Sequence, residues 1–262
     1  MRFTVDHEPV FAATGGKPFD PALPAVVFIH GAGMDHTVWA LQTRWFAHHG
    51  RAVLAVDLPG HGASGGAPLR TVEAMADWTL RLLDAAGLRE AALVGHSMGG
   101  LVALRCALQA PERVRAIGLV GTAGAAPVSA DLLGAAEANQ RRAVDMVALW
   151  SMGARAAMGG SPMPGLWMLG DGTALLERAA PGVLHADLAA CDAYRDGLAD
   201  AARVRCPAIL ALGERDMMTP AKAGRALGAG IPGATTVVVP KAGHMLMAEA
   251  PDAVLDALKT VM

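Results

Sequence analysis

A serine, an aspartate and a histidine stand in this chain at positions whose chemistry would suit acyl transfer. Ser97 is the centre of Gly95-His96-Ser97-Met98-Gly99. A hydroxyl at a sharp strand-to-helix turn needs small residues two positions to either side, because the backbone there is strained and crowded. Gly95 and Gly99 meet that need, and the turn offers Ser97 Oγ as a nucleophile. It also sets the Met98 amide at a helix N-terminus, where partial positive charge favours a developing oxyanion.

A serine nucleophile requires a base to take its proton and an acid to orient that base. His244 follows the β-branched run Thr235 to Val239 on the loop Lys241-Ala242-Gly243. An imidazole, with an ordinary pKa of about 6.5, suits general-base work from such a loop. Asp216 lies just past the apolar run Cys206 to Gly213, and Glu214 is its rival for the role of acid. Among nine histidines, His7, His48 and His49 read as surface positions and His61 as part of the turn Pro59-Gly60-His61-Gly62. His185 is a candidate substrate contact. A second oxyanion donor is expected from the Ala32 amide, because Ala25 to Ile29 empties into His30-Gly31-Ala32-Gly33, where small residues let backbone approach a carbonyl.

Elements able to position these groups alternate along the chain. Strands are expected near Val26 to His30, Ala52 to Asp57, Ala91 to His96, Val114 to Val120, Ala208 to Leu212 and Thr235 to Val239. Helical patterns lie between them, such as Glu73 to Ala86, which places Met75, Trp78, Leu82 and Leu83 near one face before Gly87 stops it. Such alternation implies a parallel sheet covered on both faces, with active-site residues at the carboxyl ends of its strands. The first two dozen residues are expected to add an antiparallel hairpin at one edge.

The alternation breaks after Gly121, where roughly eighty residues pass before the next strand, against ordinary connections of about 2 to 6. This stretch reads as helices over Ala130 to Ser151 behind a Ser129 cap, Thr173 to Ala180 and Val183 to Ala202, punctuated by Pro162, Pro164 and Pro181. It is expected to form a lid. Trp150, Met152, Met158, Met163, Trp167, Met168 and Leu169 give it a density of large apolar side chains. These, with His185 and Met245, are candidates for lining an apolar substrate pocket. Packing of the lid onto the core explains the same residues equally well.

Together these segments resemble the α/β-hydrolase family over nearly the whole chain. The resemblance rests on His30-Gly31-Ala32-Gly33 with Trp39, Asp57-Leu58-Pro59-Gly60-His61-Gly62, and His96-Ser97-Met98-Gly99-Gly100. It rests further on Gly213-Glu214-Arg215-Asp216 with Thr219-Pro220, and on Gly243-His244 with Glu249 and Pro251. Serine, acid, histidine is also that family's order along the chain. The resemblance implies an α/β fold: a mostly parallel, eight-stranded α/β-hydrolase sheet with helices on both faces. A helical lid at 122–204 would follow strand 6, inserted into a core of 1–121 and 205–262. It implies a cofactor-free serine hydrolase, without metal, that cleaves a small to medium, largely apolar carboxylic ester through Ser97, Asp216 and His244.

Other members of the fold keep alternatives open. C–C bond hydrolases of aromatic ring-cleavage products usually carry asparagine before the nucleophile and tryptophan after the histidine, where this chain has His96 and Met245. Perhydrolases usually place an aromatic residue and proline after the His-Gly pair, where Ala32-Gly33 stand. Lactonases share the triad, and some receptors of the fold close a lid over a ligand without turning it over. Dehalogenases and epoxide hydrolases would need aspartate in place of Ser97.

Composition bounds the rest. With 262 residues, 53% apolar and 18% charged, the chain buries one sizeable core. A net charge of −2 without basic runs gives no footprint for nucleic acid. The polar start Met1 to Glu8 is unlike a signal peptide, and no apolar run spans a bilayer, so a cytoplasmic location is expected. Cys106, Cys191 and Cys206 lack metal-ligand spacing and read as reduced packing residues. The oligomeric state is not legible.

Overall fold

The computed structural model describes residues 1–160, 165 and 167–262, so Pro162, Met163 and Pro164 lie outside the described residues. Eight strands form one sheet: β1 (Arg2–Val5), β2 (Glu8–Ala13), β3 (Ala25–Ile29), β4 (Ala52–Val56), β5 (Ala91–His96), β6 (Val114–Val120), β7 (Ala208–Gly213) and β8 (Thr235–Val239). Their spatial order is β1-β2-β4-β3-β5-β6-β7-β8. From β4 to β8 every pairing is parallel, while β1 and β2 form the antiparallel hairpin at one edge, with β2 antiparallel to β4.

The central strands β3, β4, β5 and β7 are buried along their whole length, as continuous apolar runs in a parallel sheet require. Successive side chains point to opposite faces, and the two cores divide accordingly. Val27, Ile29, Leu54, Leu93 and Leu210 meet α2 (Val72–Ala85) and α3 (Met98–Gln109) through Met75, Trp78, Leu82 and Leu101. Val26, Phe28, Val53, Val94 and Ile209 share the other core with Trp39, with Phe46 of α1 (Ala40–His48), and with Val254 and Leu258 of α12 (Pro251–Leu258).

Six helices fall between β6 and β7 among the described residues: α4 (Ala130–Glu137), α5 (Arg141–Ser151), α6 (Ala154–Ala157), α7 (Met168–Glu177), α8 (Val183–Ala193) and α9 (Gly197–Ala201). Beyond β7 come α10 (Ala221–Gly230) and α11 (Leu246–Glu249). The insertion has its own small core of Leu132, Ala135, Ala143, Val147, Leu176 and Leu188. It leaves and returns between β6 and β7, which are hydrogen-bonded neighbours.

Helix boundaries in the insertion differ from expectation. Ser129 Oγ does cap α4, accepting from the Leu132 amide at 3.2 Å. The single helix expected to Ser151 is two, broken at Asn139 with φ 50. Asparagine is among the few non-glycine residues that tolerate that conformation, and the break folds α5 back on α4. The helix expected from Thr173 starts earlier, at Met168, and that expected to Ala202 is split into α8 and α9. No described helix is long and apolar enough to cross a membrane.

Candidate active site

The turn from β5 to α3 carries Ser97 at φ 51 and ψ −112, a strained backbone for a residue with a Cβ. The turn is pinned by its own surroundings. Ser97 N donates to Val120 O at 2.9 Å, and Gly100 N donates to Ser97 O at 3.0 Å. A Cβ at Gly95 would overlap the Gly99 carbonyl, and one at Gly99 would overlap the Ile29 oxygen. Both glycines are thus required by close backbone approach, as their spacing suggested.

Asp216 follows β7 and His244 follows β8, on parallel neighbours whose carboxyl ends lie side by side. His244 Nδ1 is 2.7 Å from Asp216 Oδ2. The carboxylate is saturated with donors: Oδ1 accepts from the Met218 and Thr219 amides at 2.9 and 2.8 Å, and Thr219 Oγ1 lies 2.8 Å from Oδ2. Burial by itself raises the Asp216 pKa, but the His244 imidazole and the Thr219 donors outweigh it and hold the carboxyl below its ordinary range. Glu214, the rival acid, is turned away and accepts from the Lys241 amide at 2.9 Å.

Two contacts fix the His244 backbone that sequence alone did not reveal. The His244 amide donates to Ser151 O at 2.8 Å, at the C-terminal end of α5 in the insertion. His96 Nε2 donates to His244 O at 3.0 Å, and the two rings lie 4.6 Å apart. Burial, then the His244 charge, holds His96 well below the ordinary histidine pKa, so it stays neutral in that role.

Ser97, His244 and Ala32 line one small cavity of about 50 Å³, walled by Met34, Val128, Val147, Leu188 and Met218. The Ala32 and Met98 amides donate to no protein acceptor among the described residues. Ser151 contributes a buried hydroxyl to this wall, and its Oγ has no partner among the described residues.

Of the nine candidate pocket residues, Met163 lies outside the described residues and none of the other eight lines this cavity. Met152, Met168 and Met245 instead line a separate cavity of about 580 Å³ between α7 and the start of α1. Met158 and Trp167 are 84% and 63% exposed, so they line no interior in this structure. Trp150 is half-buried against the core of the insertion itself, and His185 is half-buried on α8. Helix register explains the difference: Val147 and Ser151 are four apart on α5, and Leu188 and Cys191 three apart on α8, so these residues face the serine. All three cysteines are free, and Cys191 is a wall residue of the cavity.

His61 is no ordinary turn histidine. It is 2% exposed, and its Nε2 lies 2.8 Å from Oδ2 of Asp187, a fully buried carboxylate on α8. Among the described residues, the carboxylates and imidazole of Asp35, His36 and Asp57 come close enough to share an ion. Their hydrogen bonds are already used internally, with Asp57 Oδ1 accepting from the His36 amide at 2.7 Å and lying 2.8 Å from His36 Nδ1.

The profile of the Alpha/beta hydrolase family matches residues 26–257. A pimeloyl-[acyl-carrier protein] methyl ester esterase of Chromobacterium violaceum is 34% identical over 242 residues, covering 84% of this chain and 87% of that protein. A dihydrolipoyllysine-residue acetyltransferase component of an acetoin cleaving system from Pseudomonas putida is 33% identical over 250 residues. That alignment takes in 92% of this chain and 62% of the longer relative. Among solved structures, the enol-lactonase of Burkholderia xenovorans superposes with a TM-score of 0.88 at 23% identity, covering 99% of this chain and 98% of that one.

Proposed function

Because the chain belongs to the alpha/beta hydrolase family, we propose that it is a serine hydrolase of small to medium, largely apolar carboxylic esters. Residues 122–204 act as its lid over a core of 1–121 and 205–262. One observation carries the reading: strained Ser97 shares a cavity with His244, whose Nδ1 is held on Asp216.

With Nδ1 engaged at 2.7 Å, His244 has Nε2 left as its basic nitrogen. It takes the Ser97 proton as Oγ attacks the ester carbonyl carbon, and Asp216 stabilises the imidazolium that forms. The carbonyl π electrons move onto oxygen, where the Ala32 and Met98 amides receive the charge. Collapse of this intermediate breaks the bond to the leaving oxygen, which takes the proton from His244 and departs as an alcohol. Water then attacks the acyl-enzyme with His244 again as base, releasing the acid and restoring Ser97. Each oxyanion donor typically contributes about 2.7 to 4 kcal/mol to such a transition state.

The apolar walls of the cavity beside Ser97, from Met34, Val128, Val147, Leu188 and Met218, support an apolar acyl group. Methyl esters belong in the test panel, given the name of the 34% identical relative. The experiment is a series of p-nitrophenyl esters from acetate to long-chain, beside methyl butanoate and one ring-cleavage dienoate. A fluorophosphonate should label the wild-type chain and not Ser97→Ala. Turnover of the dienoate alone would overturn the ester reading, and absence of labelling would overturn the serine mechanism.

A further inference from the structure

Asp187 lies on α8 inside the insertion and is fully buried. Burying a carboxylate is costly unless donors surround it, and both of its close donors come from the core. Its Oδ2 accepts from the Gly33 amide at 2.8 Å and lies 2.8 Å from His61 Nε2. His61 Nδ1 lies 3.0 Å from Pro59 O, so both ring nitrogens face acceptors. The imidazolium is the form that satisfies both, and the Asp187 charge favours it against burial, raising the His61 pKa. One side chain of the insertion thus ties together two core loops, at 31–33 and 58–62.

The first of these loops holds the Ala32 amide. A peptide group is planar with its oxygen and hydrogen on opposite sides, so fixing one oxygen aims the N–H across the bond. Gly31 O accepts from the Met34 amide at 3.2 Å and lies 2.9 Å from His30 Nδ1, which sets the peptide bearing the Ala32 N–H. Asp187 sets the following peptide through the Gly33 N–H. Gly33 has φ +68, and a Cβ there would come 2.9 Å from Leu184 Cδ1 and 3.1 Å from Leu176 Cδ2, both on the insertion. With both flanking peptides held, the Ala32 amide has a single direction.

We propose that Asp187 is a positioning residue for the oxyanion hole, so that the hole is complete only when α8 is docked on the core. Asp187 touches no reacting atom; it acts through Gly33 on the Ala32 amide. This rests on the serine hydrolase reading, and the test keeps the two apart.

The experiment compares wild type, Asp187→Ala and Asp187→Asn on p-nitrophenyl acetate, with kcat expressed per site titrated by a fluorophosphonate. Titration counts competent serines, so a variant that merely folds less well loses sites and not rate per site. For Asp187→Ala, kcat per site is expected to fall about 30-fold or more with KM within about threefold, short of the ~10²- to 10³-fold lost with a whole donor. Asp187→Asn keeps an oxygen for the Gly33 N–H and is expected to retain kcat within about fivefold, since geometry rather than charge is at stake. Should the alanine variant yield no folded protein, Asp187→Ser, too short to reach Gly33, carries the same expectation. An Asp187→Ala or Asp187→Ser variant with wild-type kcat per site overturns the proposal, as does one that raises KM and leaves kcat alone. Activity that survives Ser97→Ala would overturn the underlying reading instead.

Discussion

The sheet and the helical insertion are held by different physics. Strands β3 to β7 pair through backbone and pack on both faces against interdigitating apolar side chains, so any one contact is backed by many others. The insertion packs a small core of its own, joins the two main cores through side chains such as Met152, Met168, Leu175 and Tyr194, and adds a few polar ties to the catalytic loops. Asp187 takes the Gly33 amide, Ser151 O takes the His244 and Met245 amides, Arg178 pairs with Asp35 at 2.8 Å, and Gly153 N donates to Glu249 at 3.1 Å. The proposed triad thus stands on the core, while the insertion bonds to the backbone beside it. Substitutions in the first should abolish chemistry or folding; substitutions in the second should scale it.

The largest effect expected is on chemistry in the core. Ser97→Ala should lower kcat on p-nitrophenyl acetate by about 10⁴-fold or more with the fold intact by circular dichroism. A residual rate within tenfold of wild type would break the division at its strongest point. Next comes the frame beneath the serine. Gly95→Ala should destabilise by about 4 kcal/mol or more in urea unfolding, because its Cβ meets backbone that cannot move aside. A loss under 1 kcal/mol would mean that the turn has slack.

A third test uses acid. His30 is fully buried and its pKa is lowered to about 4, by burial first and then by the nearby His61 charge. Its Nε2 accepts from the Leu58 amide at 3.1 Å, which only the neutral ring can do. As pH falls below about 6.5 the unfolded chain takes up this proton first, so stability drops by on the order of 2 kcal/mol between pH 7.5 and 5. His61 works with the opposite sign: its raised pKa contributes stability below about 6.5 that is lost as pH rises through its folded value. Urea unfolding of wild type and His30→Gln at both pH values checks this, and an equal acid loss in the variant would refute it. The smallest effect belongs to the insertion. Ser151→Ala removes a buried hydroxyl without a partner among the described residues, so stability in urea unfolding should hold or rise by about 1 kcal/mol. A loss of more than 1 kcal/mol would show that the hydroxyl is bonded in solution.

The same contrast governs what could be read from the sequence. Every core strand lies within a residue or so of its expected place, since a buried parallel strand writes an unbroken apolar run between glycine and proline. Positions at the ends of such runs are equally legible, which is how the Asp216–His244 contact was anticipated from residues 28 apart. In the insertion, a period of 3.6 continues across Asn139, and the break declares itself only through one residue's tolerance of positive φ. The inward residues were missed for a similar reason. Bulk drew attention to Trp150, Met158 and Trp167, while docking angle, a tertiary property, turned Val147, Ser151 and Leu188 toward the serine. The His61–Asp187 pair joins positions 126 apart, and neither local sequence marks it.

One property of the insertion reaches beyond this molecule. Its two ends lie on adjacent parallel strands, so it runs from the carboxyl end of β6 to the amino end of β7. The entropy of closing such a segment grows slowly with its length, so doubling it would add only about 0.6 kcal/mol. If Asp187 sets the oxyanion hole as proposed, a longer or shorter segment grafted at the same splice points would keep activity only where it brings a carboxylate to meet Gly33.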